Sequence, residues 1–338
     1  MTAIKIAIHH HKGSFSDKWI EYCQKNSIQY KLVDCYASTI IDDLKDYDVL
    51  MWHWHHNDYK AILFARQLIY SLELMGKKVF PNSATVWYFD DKVGQKYLLE
   101  AVNVPIVKSY VFYDDKEALR WSEKTQYPIV VKLRGGAGAS NVKLMHNYSE
   151  ATKYIEKAFK QGFGINRFNP LKERIWKFKR DKNLESFINI LKGIGRVLVP
   201  NEKLSRLPVE KNYLYAQDFA PNNDSDIRVI VIGTRAFAIK RMVRENDFRA
   251  SGSGNIVYDP KQIPLECVLI AFETNKKIRS QCTAYDFVFL EGKPLIIEVG
   301  YGFDQRGYLQ CPGYWDENLN WIDGKFTPEY FMIEDMLG

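Results

Sequence analysis

The chain has 338 residues, 46% hydrophobic and 26% charged, enough to bury the cores of two or three packed subdomains in an ordinary globular composition. No apolar run approaches a membrane-spanning length, and residues 1–8 are too short for a signal peptide before His9, His10 and His11 interrupt them. Five scattered cysteines without a CxxC pair argue against a disulfide framework or a zinc knuckle and for a reducing, cytoplasmic setting. The net charge of +6 is uneven: residues 167–211 hold twelve Lys or Arg against five Asp or Glu. No nucleic-acid-binding motif accompanies that basic stretch, so nucleic acid is not expected as a partner.

In chain order, residues 4–8 (IKIAI) predict a strand, a helix follows near 16–25, and strands follow near 29–34 and 48–52. A helix over 59–75 and a short strand at 79–82 complete a β-α-β rhythm, which predicts a small open parallel sheet in an N-terminal domain, 1–84. Then come a helix at 90–102, a strand at 107–112, a helix at 115–125, a strand at 128–134, a glycine-rich stretch, a strand at 141–145 and a helix at 149–160. The basic segment 163–212 reads as an insertion with helical parts. Strands at 213–219, 226–232, 235–241, 284–290 and 294–299 follow, and the last forty residues read as aromatic and irregular. The domain reading is 85–145 with 146–215 as one lobe, and 216–338 as another.

The stretch Pro128-Ile-Val-Val-Lys132-Leu-Arg134-Gly135-Gly136-Ala-Gly138-Ala139-Ser140 delivers a lysine from an apolar strand into a glycine turn. Glycine lets backbone N–H groups approach phosphate oxygens, and the lysine adds a point charge; by itself such a turn is more often only a turn. It is not the P-loop pattern, because the lysine precedes the glycines. Asp286 and Glu298 each stand among apolar residues on two strands joined by Glu291-Gly292-Lys293. They suit Mg²⁺, which takes one or two carboxylates plus phosphates; the alternative is that one of them pairs with a buried arginine. Tyr215-Ala-Gln217-Asp218-Phe219-Ala220 ends a strand whose backbone would be free to read an adenine edge. Lys240, Arg241 and Arg249 offer cations to charge that develops in a reaction.

Taken in order, the Asp91-Lys92 helix start, VVKLRGGAGASNV, QDFA with DIRVIVIG, and the Asp286…Glu298 hairpin resemble the ATP-grasp superfamily over roughly residues 85–300. The branch most resembled holds ribosomal-protein-S6 glutamate ligases, glutathione synthetases and D-Ala-D-Ala ligases. The resemblance implies an α/β fold, with an N-terminal open parallel sheet followed by a two-lobed α+β ATP-grasp domain. It further implies ATP and Mg²⁺ as cofactors and an acyl-phosphate formed from a carboxylate and attacked by an amine. By the same resemblance Lys92 and Lys132 would grip phosphates, with Gly135, Gly136, Gly138, Ala139 and Ser140 as the loop. Gln217, Asp218, Phe219 and Ala220 would form the adenine hinge, Asp226 the ribose-binding acid, and Asp286 and Glu298 the metal ligands. Arg228, Arg241 and Arg249 would stabilise the acyl-phosphate and the tetrahedral state, with Lys240 on the nucleotide.

The family reads Glu-x-Asn at the second metal strand, and this chain reads Glu298-Val299-Gly300, which puts a second magnesium ligand in doubt. Tyr301–Asp304 and Cys311–Asp316 resemble a subfamily found with capsule and O-antigen assembly genes, which implies sugar-linked acid or amine substrates. A kinase on the same fold and a nucleotide-dependent regulator without turnover are the alternatives to a ligase. His53, His55 and His56 end the third strand, as His9–His11 end the first; a polar rim of a substrate cleft is preferred to a zinc site. Leu184, Phe187, Ile188 and Leu191 follow helical i, i+3, i+4, i+7 spacing inside the basic insertion. They read either as a stripe packed on the neighbouring lobe or as a peripheral membrane contact.

Overall fold

The computed structural model describes residues 4–136, 141–164, 174–175, 178, 184–198, 209–244 and 247–338. They divide into two compact units: the first comprises 1–56, 60–109 and 220–338, the second 57–59 and 110–219.

The first unit opens on β1 (Ile6–His9), α1 (Ser16–Lys25), β2 (Tyr30–Val33), α2 (Ile40–Asp43), β3 (Val49–Trp52), α3 (Tyr59–Leu74) and β4 (Lys78–Phe80). The strands pair in parallel in the order β2-β1-β3-β4. Successive side chains of a strand point to opposite faces, and here both faces are apolar. Ile6, Ile8, Val49 and Met51 enter one core while Ala7, Leu50 and Trp52 enter another. Because β1 is flanked by β2 on one side and β3 on the other, the strand order reverses between β1 and β3. A crevice opens at such a point beyond the strands' carboxyl ends.

The chain continues through α4 (Ser83–Trp87), α5 (Lys92–Ala101), β5 (Ser109–Phe112), α6 (Asp115–Lys124), β6 (Ile129–Lys132), β7 (Val142–Met145), α7 (Tyr148–Lys160), α8 (Leu184–Leu198) and β8 (Leu214–Asp218). The second unit is built on a sheet of order β5-β8-β6-β7. Ile129, Val131, Leu214 and Ala216 form its apolar face, packed with Ala118 of α6 and Tyr154 and Ile155 of α7.

Then come β9 (Ser225–Ile232), β10 (Arg235–Met242), β11 (Ile256–Val257), α9 (Leu265–Ile278), β12 (Cys282–Leu290), β13 (Lys293–Gly300), β14 (Gly313–Asp316), β15 (Trp321–Asp323) and α10 (Pro328–Leu337). They return to the first unit as a sheet of order β13-β12-β9-β10-β14-β15, with β11 beside β10. One face of this sheet (Ile227, Val229, Val231, Tyr285, Phe287) packs on Cys267, Val268 and Ala271 of α9. The other (Ile230, Ile232, Phe237, Ile239, Cys282, Ala284) shares a core with β1, β3, α1 and α10.

The tail is therefore not irregular: residues 313–337 form a hairpin and a helix. That helix starts on Pro328 after Thr327 and buries Phe331, Met332, Ile333 and Met336.

Candidate functional site

Strand pairing decides which polar residues of the first unit meet. Arg228 stands directly opposite Asp286, Asp286 opposite Glu298, and Asp226 opposite Arg241. Directly paired residues point to one face, and residues two apart on a strand share it. Asp226, Arg228, Arg241, Asp286 and Glu298 therefore project from the face that, further along, enters the core shared with β1 and β3. The register between β12 and β13 shifts just after Asp286; such bulges re-aim side chains and cluster beside active sites.

Both guanidinium groups reach Asp286. Arg228 donates from Nε to its Oδ1 (2.6 Å), and a terminal nitrogen of Arg241 lies 3.0 Å from its Oδ2. Arg241 also holds Asp226 in a two-bonded fork, 2.6 Å on each arm. Burial works against ionisation of Asp286, yet the charges of Arg228 and Arg241 keep its carboxyl below the ordinary range. Lys92 comes to the same place from α5. Asp91 caps that helix by accepting from the Gly94 N–H (2.9 Å), and Val299 N–H donates to Gln95 Oε1 (3.3 Å), fixing the helix to β13. Lys92, only 3% exposed, thereby sits with Nζ 3.1 Å from Glu298 Oε1.

The donor set suits Mg²⁺. Asp286 and Glu298 put two hard carboxylates side by side on paired strands, and among the described residues no group of three or more His, Cys, Asp or Glu forms a complete metal cage. Two carboxylates are what a nucleotide-borne Mg²⁺ needs from protein, phosphates and water filling the rest. Gly300, where the family pattern has Asn, is in extended strand, and a Cβ built on it would meet nothing within 4 Å.

Three expected residues lie apart from this group. Lys240 alternates onto the opposite face, with Ala238 and Ile227. Arg249 forks to Asp247 in the following loop, Nε at 2.9 Å from each oxygen. Ala220 begins the return to β9 and carries its carbonyl to Asn223 (3.1 Å). Arg244 was not foreseen: 4% exposed, it donates twice to the Ser251 carbonyl, and Gly252 (φ 75°) leaves the room its guanidinium occupies.

In the second unit, Val130 pairs with Gln217 and Lys132 with Tyr215. Lys132 and Gln217 thus share the sheet face opposite the apolar core, Lys132 at 5% and Gln217 at 4% exposure. Asp218, opposite Ile129, alternates to the other face, and Phe219 follows the strand. Gly135 and Gly136 start the loop after β6. Gly136 has φ 103°, and a Cβ there would collide with the Asn141 amide, which donates to the Gly135 carbonyl (3.1 Å). Gly138, Ala139 and Ser140 lie outside the described residues.

Residues 91–179 match the family model described as "Carbamoyl-phosphate synthase L chain, ATP binding domain". Over 97–99% of its length the chain superposes on two solved structures. One is the RimK domain protein ATP-grasp from Sphaerobacter thermophilus (13% identity, TM-score 0.58, all of that chain covered). The other is the biotin carboxylase domain of 2-oxoglutarate carboxylase from Hydrogenobacter thermophilus, solved with MgADP (12%, TM-score 0.59, 68% of that chain covered). The fold is ATP-grasp. A curated relative, the alpha-aminoadipate–LysW ligase LysX of Saccharolobus solfataricus, is 28% identical over 103 residues; the match takes in 29% of this chain and 38% of that protein's length.

At the carboxyl ends of β1 and β3 the chain carries a second group of polar residues. Phe15 N–H donates to His53 Nδ1 (3.3 Å), which leaves the ring proton on Nε2, and the Phe15 ring stacks on the imidazole at 3.8 Å. Burial, then the neighbouring His55 and His11, push His53 down to about 3; burial, His55 and Lys92 push His56 down to about 3 as well. Both imidazoles are neutral near pH 7. Gly302 lies against Phe89 and His53 Nε2, where a Cβ would stand 3.9 Å from that nitrogen. Tyr308 also escaped the sequence reading. It is buried with Phe303 and Phe237 beside the two arginines and Asp286, its hydroxyl pushed up to about 12 by burial.

Proposed function

We propose that this protein is a Mg-ATP-dependent carboxylate–amine ligase, forming ADP and an acyl-phosphate that an amine then opens to an amide. The observation that carries the reading is the placement of Asp286 and Glu298 side by side on a face that also bears Arg228 and Arg241, with Lys92 reaching Glu298 from α5. Asp286 and Glu298 would hold Mg²⁺, which neutralises phosphate charge when bound. Lys92 and Lys132 would grip phosphates with the loop from Gly135 to Ser140. Gln217 to Ala220 would read adenine and Asp226 the ribose. Arg228, Arg241 and Arg249 would stabilise charge on the transferred phosphoryl group and on the tetrahedral adduct. Arg228 and Arg241 are paired with Asp286 and Asp226, which holds them buried and in place for phosphate oxygens.

The carboxylate substrate is assigned to the neutral His53–His56 crevice, with His53 Nε2–H as a donor to it. The resemblance of Tyr301–Asp304 and Cys311–Asp316 to proteins of surface-glycan assembly puts sugar-linked acids and amines first among compounds to screen. The decisive test is ADP release with candidate acids in the presence of hydroxylamine, which traps an acyl-phosphate as a hydroxamate. A hydroxamate supports the ligase; a phosphoester of an alcohol substrate would make the protein a kinase. ATP binding without turnover across the screen would make it a nucleotide-dependent regulator.

A further inference from the structure

On α8, Leu184, Phe187, Ile188, Leu191 and Ile194 are 73, 43, 40, 53 and 44% exposed. At about 100° per residue these positions fall within roughly 120° of one another around the helix axis, while Gly193 falls opposite and is buried. The stripe is in large part open to solvent, with the Phe187 ring leaning on Phe178 at 5.7 Å between centroids. Isolated exposed apolar side chains are normal on soluble proteins, but five on one face of a 15-residue helix form a patch of the kind that marks an interaction surface.

We propose that this face of α8 docks on the surface of an anionic lipid bilayer, the helix lying in the interface plane. Charge selects that occupant. Residues 167–211 have a net charge of +7, and seven of the twelve basic residues are lysines. Lysine is depleted in the buried centres of protein–protein interfaces, whereas a basic stretch beside an apolar helix face is what anionic headgroups attract. In the sequence, Lys177, Lys179, Arg180 and Lys182 stand within seven residues before Leu184, against the acids Asp181 and Glu185. Lys192 lies in the helix itself, exposed. The contact is peripheral, because no helix among the described residues is long and apolar enough to cross a membrane. Binding would require both components: apolar insertion for depth, and charge for selection between lipids, each basic residue near the surface adding roughly fivefold.

The test is flotation of the full chain with vesicles of phosphatidylcholine alone or mixed equally with phosphatidylglycerol, at low and high salt. The expected result is binding to the mixed vesicles at least about tenfold stronger than to neutral ones, weakening as salt rises. Leu191→Glu and, separately, Leu184→Glu should abolish it, with unchanged circular dichroism and melting temperature because both side chains are more than half exposed. Absence of wild-type binding would overturn the proposal, as would both folded variants floating like the wild type. Lipid-free self-association that Leu191→Glu abolishes would assign the stripe to a second copy of the chain instead. The measurement needs no substrate, so its outcome is independent of whether the ligase reading holds.

Discussion

In the proposed chemistry Lys132 would contact phosphate and Glu298 would ligate the metal. Lys132→Met and Glu298→Gln should each lower ATP turnover by at least about a hundredfold while the protein stays folded; near-normal turnover in a folded variant would remove that residue from the site. Gly300→Asn should fold like the wild type, since the backbone there is extended and the space beside it is open. A magnesium titration of the two proteins then shows whether the restored amide tightens metal dependence. Glu329 governs a different property. It is 2% exposed, its Oε1 has no hydrogen-bond partner, and burial pushes its carboxyl up to about 7, with Lys18 and Glu21 of α1 as the charged groups acting on it. A carboxyl whose folded pKa is raised binds its proton more tightly folded than unfolded. It therefore favours the folded state as pH falls from about 7 toward 4.5 and opposes it as pH rises. The depressed histidines His53 and His56 act the other way, destabilising the fold as pH drops below 6.5. Glu329→Gln should remove the first effect and leave the second. Melting temperatures from pH 4.5 to 8 should show the variant gaining on the wild type as pH rises; parallel curves would refute the assignment.

Among the elements, α10 and α8 make a contrasting pair. Ile333 of α10 is fully buried, so Ile333→Ala should cost about 2–5 kcal/mol in chemical denaturation, whereas Leu184→Gln at the exposed start of α8 should cost almost nothing. The strands of the parallel sheet and of the β9–β10 and β12–β13 hairpins were legible because apolar alternation and turn residues mark them directly. α9 was not. Its inward face (Cys267, Val268, Ala271, Thr274, Asn275, Ile278) has helical spacing, but Thr274 and Asn275 interrupt its apolar character. Asn275 is tolerated there only because it donates to the Ser280 carbonyl (2.8 Å) and accepts from the Tyr285 hydroxyl (3.1 Å), partners invisible in a linear pattern. The same limit applied to polar residues elsewhere. Asp286 and Glu298 stood out as acids in apolar strands, yet the fork of Arg241 onto Asp226 and the reach of both arginines to Asp286 depend on strand register. His53 could be flagged by its place after β3, but its tautomer follows from the Phe15 N–H, 38 residues away.

At the scale of the whole chain, the first unit is assembled from three separate stretches and the second almost wholly from residues 110–219. The apolar core of the second unit, from Ala118 to Ala216, lies entirely within that span. A fragment of residues 110–219 should therefore melt cooperatively by itself, and a featureless thermal trace would show that it depends on the rest. The first unit has no such autonomy, because Ile6, Ile8, Phe15 and Trp19 share their core with Phe331, Met332, Ile333 and Met336, more than three hundred residues later. On a ribosome adding about 5–20 residues per second, the first strand is made roughly 15 to 60 seconds before its last packing partners. Through that interval the nascent chain carries a second unit free to finish folding and an N-terminal sheet whose apolar face is still open. Demand for chaperones should accordingly fall on the oldest part of the chain, and release from them should wait on the synthesis of α10.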